Sequence, residues 1–442
     1  MSNLQLNSFN LHKILQELTS SNDFYIAYSG GVDSQVLLYL LSAVKLDHPE
    51  INIAAIHIDH GLSENSSVWA NHCLVFCKQL QIDCIVKKID VKGAFTKKHS
   101  REALARDLRY RAIDEIIGNH KGASLLTAHH ADDQAETLLL QLFRGAGPRG
   151  LAAIPPASFL SPEIKLLRPL LAFSREEILK FAQQNNLMWT EDESNLDLQM
   201  DRNYVRHKLI PIIKNRWPKV LKTIGRSVEN FVEASDLLDY FASKDLIEVQ
   251  GSVQSTLSVA KLLQLDSARQ RNVIRYWIRT LNLSLPSREK LREVQKISLA
   301  AAEDKNPLIS WDGVEVRRFQ NNLYAEKPLI HFDTATILPW NLQNSLKLPE
   351  DLGTLQVKSE LQDLKKIDTS NISVRFRQGG EKCKISGRGN HSHTLKNLFQ
   401  EWQVSPWQRD RIPLLYFEDE LICVVGFCTA PGWEFLKIEH IF

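Results

Sequence analysis

Six consecutive residues, Ser29-Gly30-Gly31-Val32-Asp33-Ser34, carry the clearest chemistry in the chain. Two adjacent glycines allow a sharp turn and a close approach of backbone to ligand. The flanking serines offer hydroxyls, and Asp33 offers an oxygen suited to magnesium. The run follows Phe24-Tyr25-Ile26-Ala27-Tyr28, which reads as a buried strand, and precedes Gln35-Val36-Leu37-Leu38-Tyr39-Leu40-Leu41, which reads as a buried helix. A strand, a tight turn and a helix start predict an anion site, because first-turn amides lack partners and the helix dipole is positive there. The spacing is neither G-x-x-x-x-G-K-[ST] nor G-x-G-x-x-G, which excludes a Walker loop and argues against a dinucleotide fold.

A second constellation is His129-His130-Ala131-Asp132-Asp133-Gln134-Ala135-Glu136-Thr137, at the end of a short apolar run. Asp133 and Glu136 are three apart and share a helix face. Acids at a helix start also cap it and favour its dipole. Two histidines and three carboxylates exceed that need. They suit holding magnesium, receiving a cationic amine, or acting as a base. A third group, His57-Ile58-Asp59-His60-Gly61-Leu62, ends another apolar run and is expected to line the same cleft. Arg101, Arg106, Arg109 and Arg111 lie on one predicted helix, where an arginine can neutralise phosphate charge or simply pair with Glu102 or Asp107.

The elements needed to position these residues alternate. Strands are expected at 51–59, 82–90 and 123–128, with helices at about 66–80, 100–118 and 131–143. That order predicts an α/β fold, a doubly wound parallel sheet with ligands beyond the strand carboxyl ends. From about 220 to 330 the pattern becomes largely helical, at 228–246, 268–281 and 288–301, with a β-rich stretch that includes 314–318. Residues 341–367 read as linker or short strands. The last part mixes strands with a helix at 394–402, a small α+β region. Three domains are therefore expected: 1–217, 218–340 and 341–442.

With 442 residues, 43% hydrophobic and 24% charged, the chain has the composition of a soluble globular protein. No apolar stretch reaches the length of a membrane span, and the start lacks the character of a signal peptide, so a cytoplasmic location is expected. Six scattered cysteines form no C-x-x-C, which favours reduced, partly buried thiols over a metal or disulfide framework. The net charge of +2 says little, but residues 371–411 hold eight Lys/Arg against three acids. This local +5, with Phe399, Trp402 and Trp407 among it, suits a polyanionic partner. The same aromatics also suit a core. A second basic run spans 214–226.

Residues 29–34 are similar to the S-G-G-x-D-S loop of the N-type ATP pyrophosphatases. Together with 57–62, 106–110, 129–137, Leu142-Phe143-Arg144-Gly145-Ala146-Gly147 and Asp201-Arg202-Asn203-Tyr204-Val205-Arg206, the chain resembles the tRNA(Ile)-lysidine synthase family. The resemblance continues through 374–381, Leu395-Lys396, Pro406, 409–411 and Pro413. It implies ligation of L-lysine to the wobble cytidine of an isoleucine tRNA with a CAU anticodon, by way of an adenylated cytidine. ATP and Mg2+ are then required, and the enzyme is a monomer or a homodimer.

The resemblance also implies residue roles. Ser29, Gly30, Gly31, Val32, Asp33 and Ser34, with His57 and Asp59, are expected to bind ATP, and Asp33 the metal. Asp133 and Glu136 are expected to bind or deprotonate the lysine ammonium, and Arg109 and His129 to stabilise adenylation. Arg202, Arg206, Arg375, Arg377, Arg388, Lys396, Arg409 and Arg411 are expected to hold the tRNA. An ATP pyrophosphatase that thiolates tRNA is the competing reading, and it lacks a C-x-x-C here.

Overall fold

The computed structural model describes residues 5–61, 65–90, 101–118, 120, 122–191, 193–300, 306–350, 352–358, 371–388 and 391–441. Leu62, the start of the helix expected from 100, and residues 359–367 of the expected linker lie outside them. The chain divides into two compact units, Met1–Tyr240 and Phe241–Phe442.

The first unit runs α1 (Ser8–Leu18), β1 (Asp23–Ala27), α2 (Val32–Asp47), β2 (Asn52–Asp59), α3 (Ser66–Gln79), β3 (Asp83–Lys88), α4 (Arg101–Ile117), β4 (Ser124–Leu126) and α5 (Ala131–Phe143). It continues with α6 (Pro148–Leu151), β5 (Ala157–Ser161), β6 (Ile164–Leu167), α7 (Arg175–Gln184) and α8 (Asp201–Tyr204). A π-helical turn, Val205–Leu209, then leads into α9 (Ile210–Arg216) and α10 (Val220–Glu248), whose last residues, from Phe241, belong to the second unit. The sheet order is β3-β2-β1-β4-β6-β5. All pairings are parallel except β5 on β6. The doubly wound sheet thus carries one antiparallel edge strand, from a hairpin that the sequence reading did not separate from the loops. The chain reverses direction of winding between β1 and β4, so a ligand cleft is expected beyond their carboxyl ends.

Strand alternation sorts the core into two layers. Phe24, Ile26, Tyr28, Ile53, Ala55, Leu126 and Leu167 face α2, α3 and α7, where Val36, Leu37, Leu40, Phe76 and Ile178 meet them. Ile56, Ile58, Leu125, Ile164 and Leu166 face α4 through Ala112, Ile113 and Ile117. Helix α2 is buried nearly all round, which explains why its sequence shows an apolar run rather than a stripe.

The second unit begins with a four-stranded antiparallel sheet of Leu257–Ser258, Leu308–Trp311, Val314–Phe319 and Asn322–Glu326. Helices Ser267–Thr280 and Arg288–Ala300 bury Val273, Ile274, Trp277, Leu291 and Val294 against it. The remainder is built on a five-stranded antiparallel sheet that includes Ile372–Arg375, Leu414–Phe417 and Glu420–Val424. Helix Leu395–Glu401 packs there through Leu395, Leu398 and Phe399. All six cysteines are unpaired thiols. Among the described residues no helix is long and apolar enough to cross a membrane.

Candidate active site

Tyr28 extends β1 by donating its N–H to Ile56 O at 2.9 Å, and the chain then turns at Gly30 with φ +83°. A side chain at Gly30 would meet Thr190 Oγ1 at 3.0 Å and Cys73 Sγ at 3.1 Å, so only glycine satisfies both the angle and the space. Thr190 N–H also latches Gly30 O at 2.9 Å. Gly31 caps α2 without a side chain, which leaves the first-turn amides facing the loop. Inside the loop Ser34 Oγ donates to Gly31 O at 3.0 Å, and Ser29 N–H reaches Ser34 Oγ at 3.3 Å. The two serine hydroxyls stand 3.1 Å apart. Residues 29–34 therefore form a preset cradle of N–H and O–H groups, as an oxyanion requires.

Asp33 lies in the first turn of α2, where its Oδ2 is 3.7 Å from His130 Nε2. Its Oδ1 is buried with no hydrogen-bond partner among the described residues. An orphaned hard oxygen beside a phosphate cradle fits a magnesium ligand. Among the described residues no three His, Cys, Asp or Glu side chains gather into a metal site of their own.

Helix α5 carries the acidic constellation. Its start follows β4 directly, so His129, His130, Asp132, Asp133 and Glu136 stand at the sheet's carboxyl edge. Glu136 is fully buried and Asp133 nearly so. Both are held by arginines from the α8 and π-turn segment. Arg202 donates to Glu136 Oε2 at 2.8 Å and Asp133 Oδ1 at 2.9 Å. Arg206 donates to Glu136 Oε1 at 2.6 Å and Asp133 Oδ1 at 3.1 Å. The two arginines are four residues apart, so one helical turn aims both forks at one face. Lys214 holds Asp132 at 2.6 Å, and Arg175 N–H donates to the same carboxylate at 2.8 Å.

His130 joins the two constellations. Its Nε2 lies 3.7 Å from Asp33 and 3.5 Å from Asp133, and its N–H donates to Asp133 Oδ2 at 3.0 Å. Burial disfavours its imidazolium, but Asp33, Asp133 and Asp132 outweigh that and raise its pKa. Burial likewise opposes the Asp133 carboxylate, yet His130 and Arg202 hold its pKa below the usual range. His129 behaves oppositely: burial, helped by Arg168, Arg202 and Arg106, pulls its pKa down to about 4. Its Nδ1 is 2.9 Å from Thr127 Oγ1.

The other expected residues fall into two groups. His57 is buried, with Nδ1 2.9 Å from Tyr28 O and 3.4 Å from Cys73 Sγ, so it braces the floor of the phosphate loop. Desolvation lowers its pKa. Asp59 Oδ1 accepts from Gly61 N–H at 2.9 Å and shapes the turn after β2. Arg109 donates to His60 Nε2 at 2.8 Å.

The C-terminal arginines lie in the second unit with local partners. Arg375 pairs with Asp419 at 3.3 Å, Arg377 with Asp410 at 2.8 Å, and Arg388 with Glu401 at 2.9 Å. Arg409 Nε donates to Val404 O at 3.0 Å, and Arg411 to Ile330 O at 2.8 Å. Lys396 is exposed. The aromatics of this stretch are structural: Phe399 is core, Trp402 stacks on Phe427 at 4.9 Å, and Trp407 packs on Tyr324 while donating to Glu326 at 3.1 Å.

Sequence reasoning placed His130 in its motif and Lys214 in a basic run without giving either a role in the site, and it missed Thr190 and Arg168. Arg168 follows Ile164–Leu167 directly. Recognising that apolar run as a strand would have put Arg168 at a cleft edge.

A PP-loop domain model matches residues 4–213, a TilS substrate binding domain 257–324, and a TilS substrate C-terminal domain 372–440. The tRNA(Ile)-lysidine synthase of Coxiella burnetii (strain RSA 493 / Nine Mile phase I) is 43% identical over 426 residues, covering 96% of this chain and 93% of the relative. The chain belongs to the tRNA(Ile)-lysidine synthase family. The lysidine synthase of Yersinia pseudotuberculosis serotype O:1b (strain IP 31758) is 38% identical over 96% of this chain and 95% of its own. That of Legionella pneumophila (strain Paris) is 37% identical over 92% and 91%. These relatives cover 92–96% of this chain.

Proposed function

We infer that this chain is an ATP-dependent ligase that joins lysine to the wobble cytidine of isoleucine tRNA with a CAU anticodon, releasing AMP and pyrophosphate. The observation that carries this reading is the meeting of the phosphate loop and the acidic helix start through His130, at the strand ends flanking the switch point. An adenylating site and an amine-receiving site are then neighbours.

The α2 amides and the hydroxyls of Ser29 and Ser34 receive the pyrophosphate portion of ATP. The adenylyl group passes to the cytosine carbonyl oxygen, and the lysine side-chain amine then displaces AMP. Asp133 and Glu136 attract the lysine ammonium. Because Asp133 is held ionised, it orients that amine more readily than it takes its proton. His129, neutral above about pH 4, hydrogen-bonds in the cleft without adding positive charge that would repel the amine. Arg109 serves the adenylation step from the α4 side. Asp33 would hold magnesium, which neutralises charge on the departing pyrophosphate.

Arg202 and Arg206 act on the lysine side of the site by tuning its carboxylates. The basic stretch 371–411 takes the tRNA backbone. The proposed division of labour is catalysis in 1–217, substrate binding in 218–340 and tRNA binding in 341–442, in a cytoplasmic enzyme. The test is mass analysis of isoleucine tRNA after incubation with the protein, ATP, magnesium and lysine. A product without the added mass of lysine overturns the reading.

A further inference from the structure

Arg168 has no place in the reaction as described, and its surroundings do not explain it as structure alone. It follows β6, where Thr127 N–H continues the ladder to Leu167 O at 3.0 Å. Arg168 is therefore the next residue along from the strand end that leads to His129. Side chains alternate along β6, and Ile164 and Leu166 face α4, so Arg168 faces the α4 layer too. Arg106 and Tyr110 come from that layer, with the Arg106 guanidinium 5.2 Å from the Tyr110 ring centre.

Only 7% of Arg168 is exposed. Its Nη1 donates to Pro155 O at 2.7 Å and Ser158 Oγ at 3.1 Å, while Nε is buried with no partner among the described residues. No carboxylate pairs with it among those residues; the neighbours that act on it are the Tyr110 phenol and Arg106, a second cation. A buried guanidinium without a counter-ion is costly, and a carbonyl and a hydroxyl do not neutralise it. Nor does the acidic cluster pair with it: among the described residues the arginines that contact Asp133 and Glu136 are Arg202 and Arg206. The missing charge is that of a ligand, and a guanidinium fork matches a phosphate.

We propose that Arg168, with Arg106, binds a phosphate group of a substrate at the carboxyl edge of β4 and β6. This rests on the ligase reading, in which two substrates carry phosphate: ATP and the tRNA backbone. Binding experiments separate them. ATP affinity is measured without tRNA, and isoleucine tRNA affinity without ATP, in wild type, R168Q, R168K and R106Q. Loss of one charge-assisted contact predicts about a tenfold weaker affinity for one of the two ligands in R168Q. R106Q is expected to weaken the same ligand by a smaller factor, and R168K to fall between wild type and R168Q, with the KM for lysine unchanged in all three. Loss confined to ATP assigns a nucleotide phosphate, and loss confined to tRNA a backbone phosphate. Wild-type affinity for both ligands in folded R168Q overturns the proposal. Should R168Q fail to fold because Pro155 and Ser158 lose their tie, unchanged affinities in both R168K and R106Q overturn it instead. A wild-type protein that makes no lysidine would fail the ligase reading, whatever the variants bind.

Discussion

Arginine is used in two ways in this molecule, and the difference lies in what it faces. Arg202 and Arg206 meet carboxylates whose side chains are 10% and 0% exposed. Arg375, Arg377 and Arg388 meet carboxylates that are 98%, 52% and 51% exposed. In the first place neither partner can return to water without leaving a buried charge behind, so the geometry is fixed. In the second, water and salt compete for every bond, so a phosphate can replace the carboxylate at little cost. The buried set shapes a site. The exposed set is available to a large anion.

Stability is where the contrast should be widest. Arg206→Ala strips a fork from fully buried Glu136 and is expected to cost about 3–5 kcal/mol, whereas Arg377→Ala should cost under about 1 kcal/mol. Thermal unfolding of the two variants measures this, and equal midpoints would erase the distinction. Asp133→Asn should lower lysidine formation by about 100-fold, the worth of a charge that positions the attacking amine, while ATP affinity stays within about twofold. A parallel loss of ATP binding would mean that the acidic cluster serves the loop rather than the amine. Reversing charge at Arg409 and Arg411 should weaken tRNA binding about tenfold at low salt and flatten its salt dependence, sparing ATP binding. Unchanged tRNA affinity in that double variant removes Arg409 and Arg411 from recognition.

The smallest effect concerns pH. His129 accepts a proton near 6.5 in the unfolded chain but only near 4 when folded. The unfolded state therefore binds more protons in that interval, and stability falls as pH drops from 6.5 toward 4. At pH 6 the loss is under about 1 kcal/mol. Histidine carbon-proton NMR reads it directly, and a His129 resonance titrating near 6.5 would contradict the buried setting.

Much of the first unit was legible because each strand is a short apolar run ended by polar residues, and α5 begins and ends where its pattern does. The hairpin of β5 and β6 escaped because its outer strand is half-exposed and lacks clean alternation. Missing β6 meant missing Arg168. The motifs located the loop and the acidic cluster but not their bond, since periodicity says nothing about where the His130 ring goes. The arginines of 201–206 were visible as residues, yet their partners are 66 to 73 positions away. Linear spacing carries no sign of such a contact. Trp407 had two readings beside its basic neighbours, a stacking platform or core, and the fold decides for packing by setting its ring against Tyr324.

That same separation has a consequence for how the chain is made. Glu136 emerges from the ribosome well before Arg202 and Arg206, at about 5–20 residues per second. For several seconds the start of α5 has carboxylates and no counter-ions, so it must stay hydrated and cannot settle against the sheet. Closure of the first unit around α5 waits for Arg202 and Arg206, and a nascent chain halted before Arg206 should remain open to protease at α5 however well its earlier strands have paired.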